Sequence, residues 1–64
     1  MKLIKITEVM NVTTLSRATI YKYMASERFP KPVCLGGRAV AWVEEEIQDW
    51  IAQRVSERGD ATTR

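Results

Sequence analysis

Read from its start, the chain changes hydrophobic rhythm several times. Leu3, Ile4 and Ile6 stand between Lys2 and Lys5 in a loose alternation, which predicts a short strand or an extended arm pinned to a core. From Thr7 to Val12 the spacing becomes helical. Thr7 is placed to cap that helix, Glu8 suits the positive end of its dipole, and Val9, Met10 and Val12 supply packing. Asn11 tolerates the left-handed conformation and helps end the helix, leaving Thr13-Thr14 as a short link. A second helix then follows Ser16, whose hydroxyl can accept from backbone N–H groups two or three residues on. It meets no Gly or Pro before it stops around Ser26-Glu27. Leu15, Ile20, Tyr23 and Met24 fall on one side of it; Ser16, Arg17, Ala18, Tyr21 and Lys22 fall on the other.

The next stretch cannot be helical. Pro30 and Pro32 force their predecessors toward extended geometry, and Phe29 reads as an anchor on the core with Arg28 and Lys31 exposed on either side. Val33-Cys34-Leu35 and Ala39-Val40-Ala41-Trp42 are apolar runs separated by Gly36-Gly37-Arg38. Paired glycines between such runs predict a hairpin, because turns that match strand twist need positive φ. A third helix is expected from Val43 or Glu44 to Arg58, with Gly59 as its stop and Val43, Ile47, Trp50, Ile51 and Val55 as its buried stripe. Trp42 and Trp50 are assigned to the core. Residues 59–64 have neither pattern nor apolar content and are expected to form a flexible tail on a single domain of residues 1–58.

With 64 residues the chain has room for one small core and no enclosed substrate cavity beside it. It contains no His and one Cys, which removes the commonest general base and most zinc or triad arrangements; no enzyme, cofactor or metal is expected. Cys34, inside an apolar run, is expected to be a buried structural thiol. Neither a signal peptide nor a membrane span is evident, and a reducing cytoplasm is the expected setting.

The formal net charge is +2, but it is unevenly spread. Between Ser16 and Arg38, Arg17, Lys22, Arg28, Lys31 and Arg38 face Glu27 alone. Between Ala39 and Asp60, Glu44, Glu45, Glu46, Asp49, Glu57 and Asp60 outweigh Arg54 and Arg58. A basic middle and an acidic end suggest one face for a polyanion and another turned from it, although chance scatter in a short chain gives the same count. The three consecutive glutamates have no partner ligand in view and read as a solvated helix start.

The candidate chemistry lies on the second helix. Its outward side carries two cations, hydroxyls and a small residue that permits close approach, the groups that bond phosphates and base edges in a major groove. Helix, tight turn and second helix make a helix-turn-helix, and the hairpin beside it makes a wing with Arg38 at the tip. The fold class expected is therefore mainly α with a small β-hairpin: a three-helix winged helix-turn-helix. The candidate DNA-binding residues are Ser16, Arg17, Ala18, Thr19, Tyr21, Lys22, Arg28, Lys31 and Arg38. Lys2 and Lys5 could touch a DNA backbone, but solvated lysines near a terminus are the commoner case, and they are left out of the candidate set. A plain helical hairpin with solvated cations would show much of the same pattern.

Taken together, EVMNVTTLSRATIYKYM, RFPKPVCLGGRAVAW and EEIQDWI closely resemble the AlpA family of small phage and prophage DNA-binding regulators, over about Ile4 to Ile51. The resemblance covers Ser16 to Tyr21 in the recognition helix, and Leu35 to Arg38 with Trp42 in the wing. It implies a winged fold like that of MerR-type regulators and sequence-specific binding of double-stranded DNA. The implied role is transcriptional regulation, or recombination directionality with a phage-type integrase as partner. Further copies on adjacent sites are expected, since one small module reads few base pairs. A protein-interaction module on the same scaffold is the rival class. The family commonly has Gly where this chain has Thr14; a Thr at positive φ is strained, which favours a different turn geometry here.

Overall fold

The structure, a computed structural model, describes residues 1–58. Its order is β1 (Leu3–Ile4), α1 (Ile6–Thr13), α2 (Arg17–Ala25), β2 (Val33–Gly36), β3 (Ala39–Val43) and α3 (Glu44–Arg58). The arm, left open between strand and coil, is a strand. It pairs antiparallel with β3, so the sheet runs β1-β3-β2 with Ile4 opposite Trp42 and Cys34 opposite Val40. Three helices around a small sheet whose β2–β3 hairpin forms a wing match the expected class.

The core draws on every element except β2. Val9, Ile20, Trp42 and Ile47 are fully buried, and Ile4 and Phe29 nearly so. Two indoles tie the irregular segment between α2 and β2 to the rest. Trp42 Nε1–H donates to the Pro30 carbonyl at 3.1 Å, and Trp50 Nε1–H donates to the Arg28 carbonyl at 2.8 Å. Phe29 meets the Trp50 ring edge-on with centroids 4.8 Å apart, a favoured aromatic geometry. That segment has little regular backbone bonding of its own, so these contacts fix its path.

Several local expectations change. Thr7 does not cap α1: the cap is Lys5, extended at φ −85°, ψ 168°, with no side-chain bond. Ile4 must stay in the sheet, and the chain turns helical immediately after it. Asn11 lies inside α1, which runs on to Thr13. Thr14 does adopt the left-handed conformation, at φ 60°, so the turn keeps the geometry for which glycine is the easier residue. Thr13 supports it, donating from Oγ1 to the Val9 carbonyl at 2.6 Å and accepting the Leu15 N–H at 3.3 Å.

Cys34 is exposed, contrary to expectation, as are Val33 and Leu35. The hairpin rests on the helices through β3, where Trp42 is buried and Val40 packs against the core, and β2 hangs outside it. Val55 is also exposed, since α3 passes its last packed turn at Trp50 and Ile51 before reaching it. Gly36 at φ 126° and Gly37 at φ 54° make the wing turn, with a bulge between Cys34 and Gly36. Gly59 and the expected tail, residues 59–64, lie outside the described residues.

The end of α2 carries a second non-glycine in the left-handed region. Glu27 has φ 58°; its N–H bonds the Met24 carbonyl at 3.0 Å, and the Arg28 N–H reaches the Tyr23 carbonyl at 2.7 Å. These two bonds define a Schellman cap, a place usually taken by glycine. Because Glu27 is exposed and its side chain forms no ion pair among the described residues, Glu27→Gly should relieve the backbone at little cost. The expected gain is about 0.5–1 kcal/mol, read as a higher midpoint in thermal unfolding followed by circular dichroism.

Candidate nucleic-acid interface

The geometry begins at Ser16. Its backbone is extended at φ −75°, ψ 160°, and its Oγ accepts the Thr19 N–H at 3.1 Å, which starts α2. The same hydroxyl donates to Thr19 Oγ1 at 2.9 Å, leaving the Thr19 hydroxyl proton free for an outside acceptor. Ile20 is fully buried, and Leu15, Tyr23 and Met24 pack half-buried against the core. Arg17, Ala18, Tyr21 and Lys22 are left exposed, the division that the helical spacing predicts. No Asp or Glu occurs in α2.

Tyr21 reaches toward the wing. With Arg38 and Leu35 it lines a groove of about 510 Å³ between α2 and the hairpin, whose floor is formed by β1 and β3. Lys5 completes the polar part of that lining, and among the described residues no carboxylate takes part in it. A separate cleft of about 520 Å³ lies against α3, and here Lys31 shares the lining with Glu46 and Asp49. The candidate residues thus do not form one cluster. Ser16 caps α2, Arg17, Ala18, Thr19, Tyr21 and Lys22 lie on it, and Tyr21 lines the same groove as Arg38. Lys31 stands beside carboxylates, and Arg28 is exposed on the segment held by Trp50.

Lys2 and Lys5, alike in sequence, are separated by the fold. Lys2 approaches Glu44 at 3.8 Å, while Lys5 lines the groove. Nothing in the local pattern distinguishes them, because the difference depends on where β1 pairs. Among the described residues no cluster of His, Cys, Asp or Glu could hold a metal ion, and no helix is long and apolar enough to cross a membrane.

Comparison with known families adds one decisive observation. The family model described as prophage CP4-57 regulatory protein (AlpA) matches residues 2–55. The chain belongs to the AlpA family. The match to AlpA runs through both helices of the helix-turn-helix, the wing and most of α3. Among AlpA-like relatives, uncharacterized protein ORF88 of Enterobacteria phage P4 is 40% identical over 57 residues, covering 89% of this chain and 65% of the phage protein. The DNA-binding transcriptional activator AlpA of Escherichia coli (strain K12) is 34% identical over 59 residues, covering 83% of this chain and 84% of the relative. The chain thus spans just under two thirds of the phage P4 protein and most of AlpA.

The double use of Ser16, as cap and as an exposed hydroxyl, can be separated by substitution. Ser16→Ala removes the acceptor for the Thr19 N–H and should lower stability by about 1 kcal/mol. Ser16→Asn should stay near the wild type, because its side chain can still accept that N–H. Urea unfolding of the two variants measures this directly; wild-type stability in Ser16→Ala would show that the cap does not matter here.

Proposed function

We propose that this AlpA-family chain is a sequence-specific double-stranded DNA-binding regulator of the phage type, docking α2 in a major groove with the wing against the backbone. The observation that carries this reading is the pairing of an α2 face free of carboxylates with a groove that joins Tyr21 to Arg38 at the wing. The description of AlpA as a DNA-binding transcriptional activator supports it.

In this arrangement Arg17, in the first turn of α2, is the best placed to read a base edge, most simply by bidentate bonding to guanine. Ala18 lets the helix approach closely. Thr19, with its free hydroxyl proton, and Tyr21 bond phosphates or add base contacts, and Ser16 acts chiefly by holding the helix start. Lys22 and Arg28 neutralise backbone phosphates, and Arg38 does so from the wing. Lys31 is the weakest of the set, because it shares its cleft with Glu46 and Asp49.

A single module of this size offers a small interface, so paired or repeated sites filled by several copies, or by one copy with a partner, supply the rest of the specificity. In-vitro selection of bound duplexes would identify the site. Selected sequences lying at a promoter support transcriptional control; sequences flanking an attachment site support recombination directionality with an integrase as partner.

Two substitutions separate readout from backbone contact. Arg17→Ala should weaken cognate binding by about 1–3 kcal/mol and relax preference at one base pair. Lys22→Ala should weaken all duplexes alike and reduce the slope of log affinity against log salt by about one unit. Wild-type binding by both variants would exclude α2 as the docking element.

A further inference from the structure

Lys5 occupies an unusual place for a cation near a chain terminus. It caps α1 through its backbone alone, its carbonyl accepting the Glu8 and Val9 N–H groups at 2.9 Å each, while its side chain makes no capping bond. Strand β1 is only two residues long, and its pairing of Ile4 with Trp42 fixes where Lys5 emerges. That point is the groove between α2 and the wing, with Tyr21 and Arg38 in the same lining.

We propose that this groove seats one sugar–phosphate strand of duplex DNA, and that Lys5 binds a phosphate there together with Arg38 and the Tyr21 hydroxyl. The proposal rests on the DNA-binding role given above and adds to it both a residue and a path for the backbone. Charge and surface character select the occupant. Two cations and a phenol stand in the lining with no carboxylate among the described residues, whereas the similar-sized cleft against α3 sets Lys31 beside two carboxylates, Glu46 and Asp49, and suits a polyanion less well.

The remaining walls are apolar, including Leu35, which is 56% exposed, and Leu3. A small inorganic anion would use the cations and leave those walls bare. A nucleic-acid strand presents both characters, its phosphates to Lys5, Arg38 and Tyr21 and its sugar carbons to Leu3 and Leu35. The exposed leucine on the wing then has a function that packing within the chain does not give it.

The test compares Lys5→Ala, Lys5→Arg and Lys2→Ala by salt titration of binding to cognate and random duplexes. Lys5 is exposed and its side chain makes no capping bond and no ion pair among the described residues, so the fold should survive, as circular dichroism would confirm. Lys2→Ala is the control, because Lys2 lies beside Glu44 and not in the groove. Loss of one phosphate contact should reduce the slope of log affinity against log salt by about 0.9 in Lys5→Ala, equally on both duplexes, with base preference unchanged. Lys5→Arg and Lys2→Ala should keep the wild-type slope. An unchanged slope in Lys5→Ala, or an equal loss in Lys2→Ala, would overturn the groove assignment while leaving α2 docking intact. A wild-type protein with no salt-dependent affinity for any duplex would overturn the DNA-binding role itself.

Discussion

Trp42 is the side chain around which the other elements are arranged. It sits fully buried on the central strand, opposite Ile4 of β1 and in one cluster with Val9, Ile20, Phe29 and Ile47. Its indole N–H closes the far side by donating to the Pro30 carbonyl. Truncating a buried tryptophan typically costs about 3–5 kcal/mol. A domain this small is expected to have only about 3–5 kcal/mol of net stability, so the single indole is comparable with the whole margin. The wing is held by the same residue, since β3 carries Trp42 inward and pairs with β2 along its edge.

Such a small core leaves few residues to orient each helix. α2 commits one fully buried residue, Ile20, with Leu15, Tyr23 and Met24 packed half-buried around it. Its orientation therefore depends strongly on its two ends. At the start, Thr13 bonds both α1 and the incoming Leu15 N–H while Ser16 caps the helix. At the finish, the Schellman bonds at Glu27 and Arg28 turn the chain so that Phe29 can reach Trp50. Both reversals place a residue other than glycine at positive φ, Thr14 and Glu27. The packing of Leu15 and Phe29 on either side outweighs the local preference.

This explains which features the sequence made legible. The Ser16 cap, the two sides of α2, the paired-glycine hairpin and the start of α3 all rest on interactions within a few residues, and local spacing reveals them. The pairing of β1 with β3 joins Ile4 to Trp42 across most of the chain, and no local pattern encodes it. The start of α1 at Lys5 instead of Thr7 and the separate fates of Lys2 and Lys5 follow from that pairing. Cys34 and Val55 are exposed despite their pattern because apolar character marks only what could be buried. Burial also requires facing elements, and here the hairpin projects and α3 outlasts the core. Lys31 looked equivalent to Arg28, and only the approach of α3 sets carboxylates beside it.

A net charge of +2 understates what a polyanion would meet. Glu44, Glu45 and Glu46 lie in the first turn of α3, where they favour the helix dipole and where Glu44 also draws in Lys2. The acids that stabilise α3 thus belong to another element than α2, which has none of its own. At physiological ionic strength screening acts over roughly 8 Å, so charge on one element contributes little to a contact made on another unless the two adjoin. Local composition then matters more than the total. One lysine added to or removed from the α2–wing groove changes the field at that groove directly, while the same change on the outer part of α3 is largely lost to solvent.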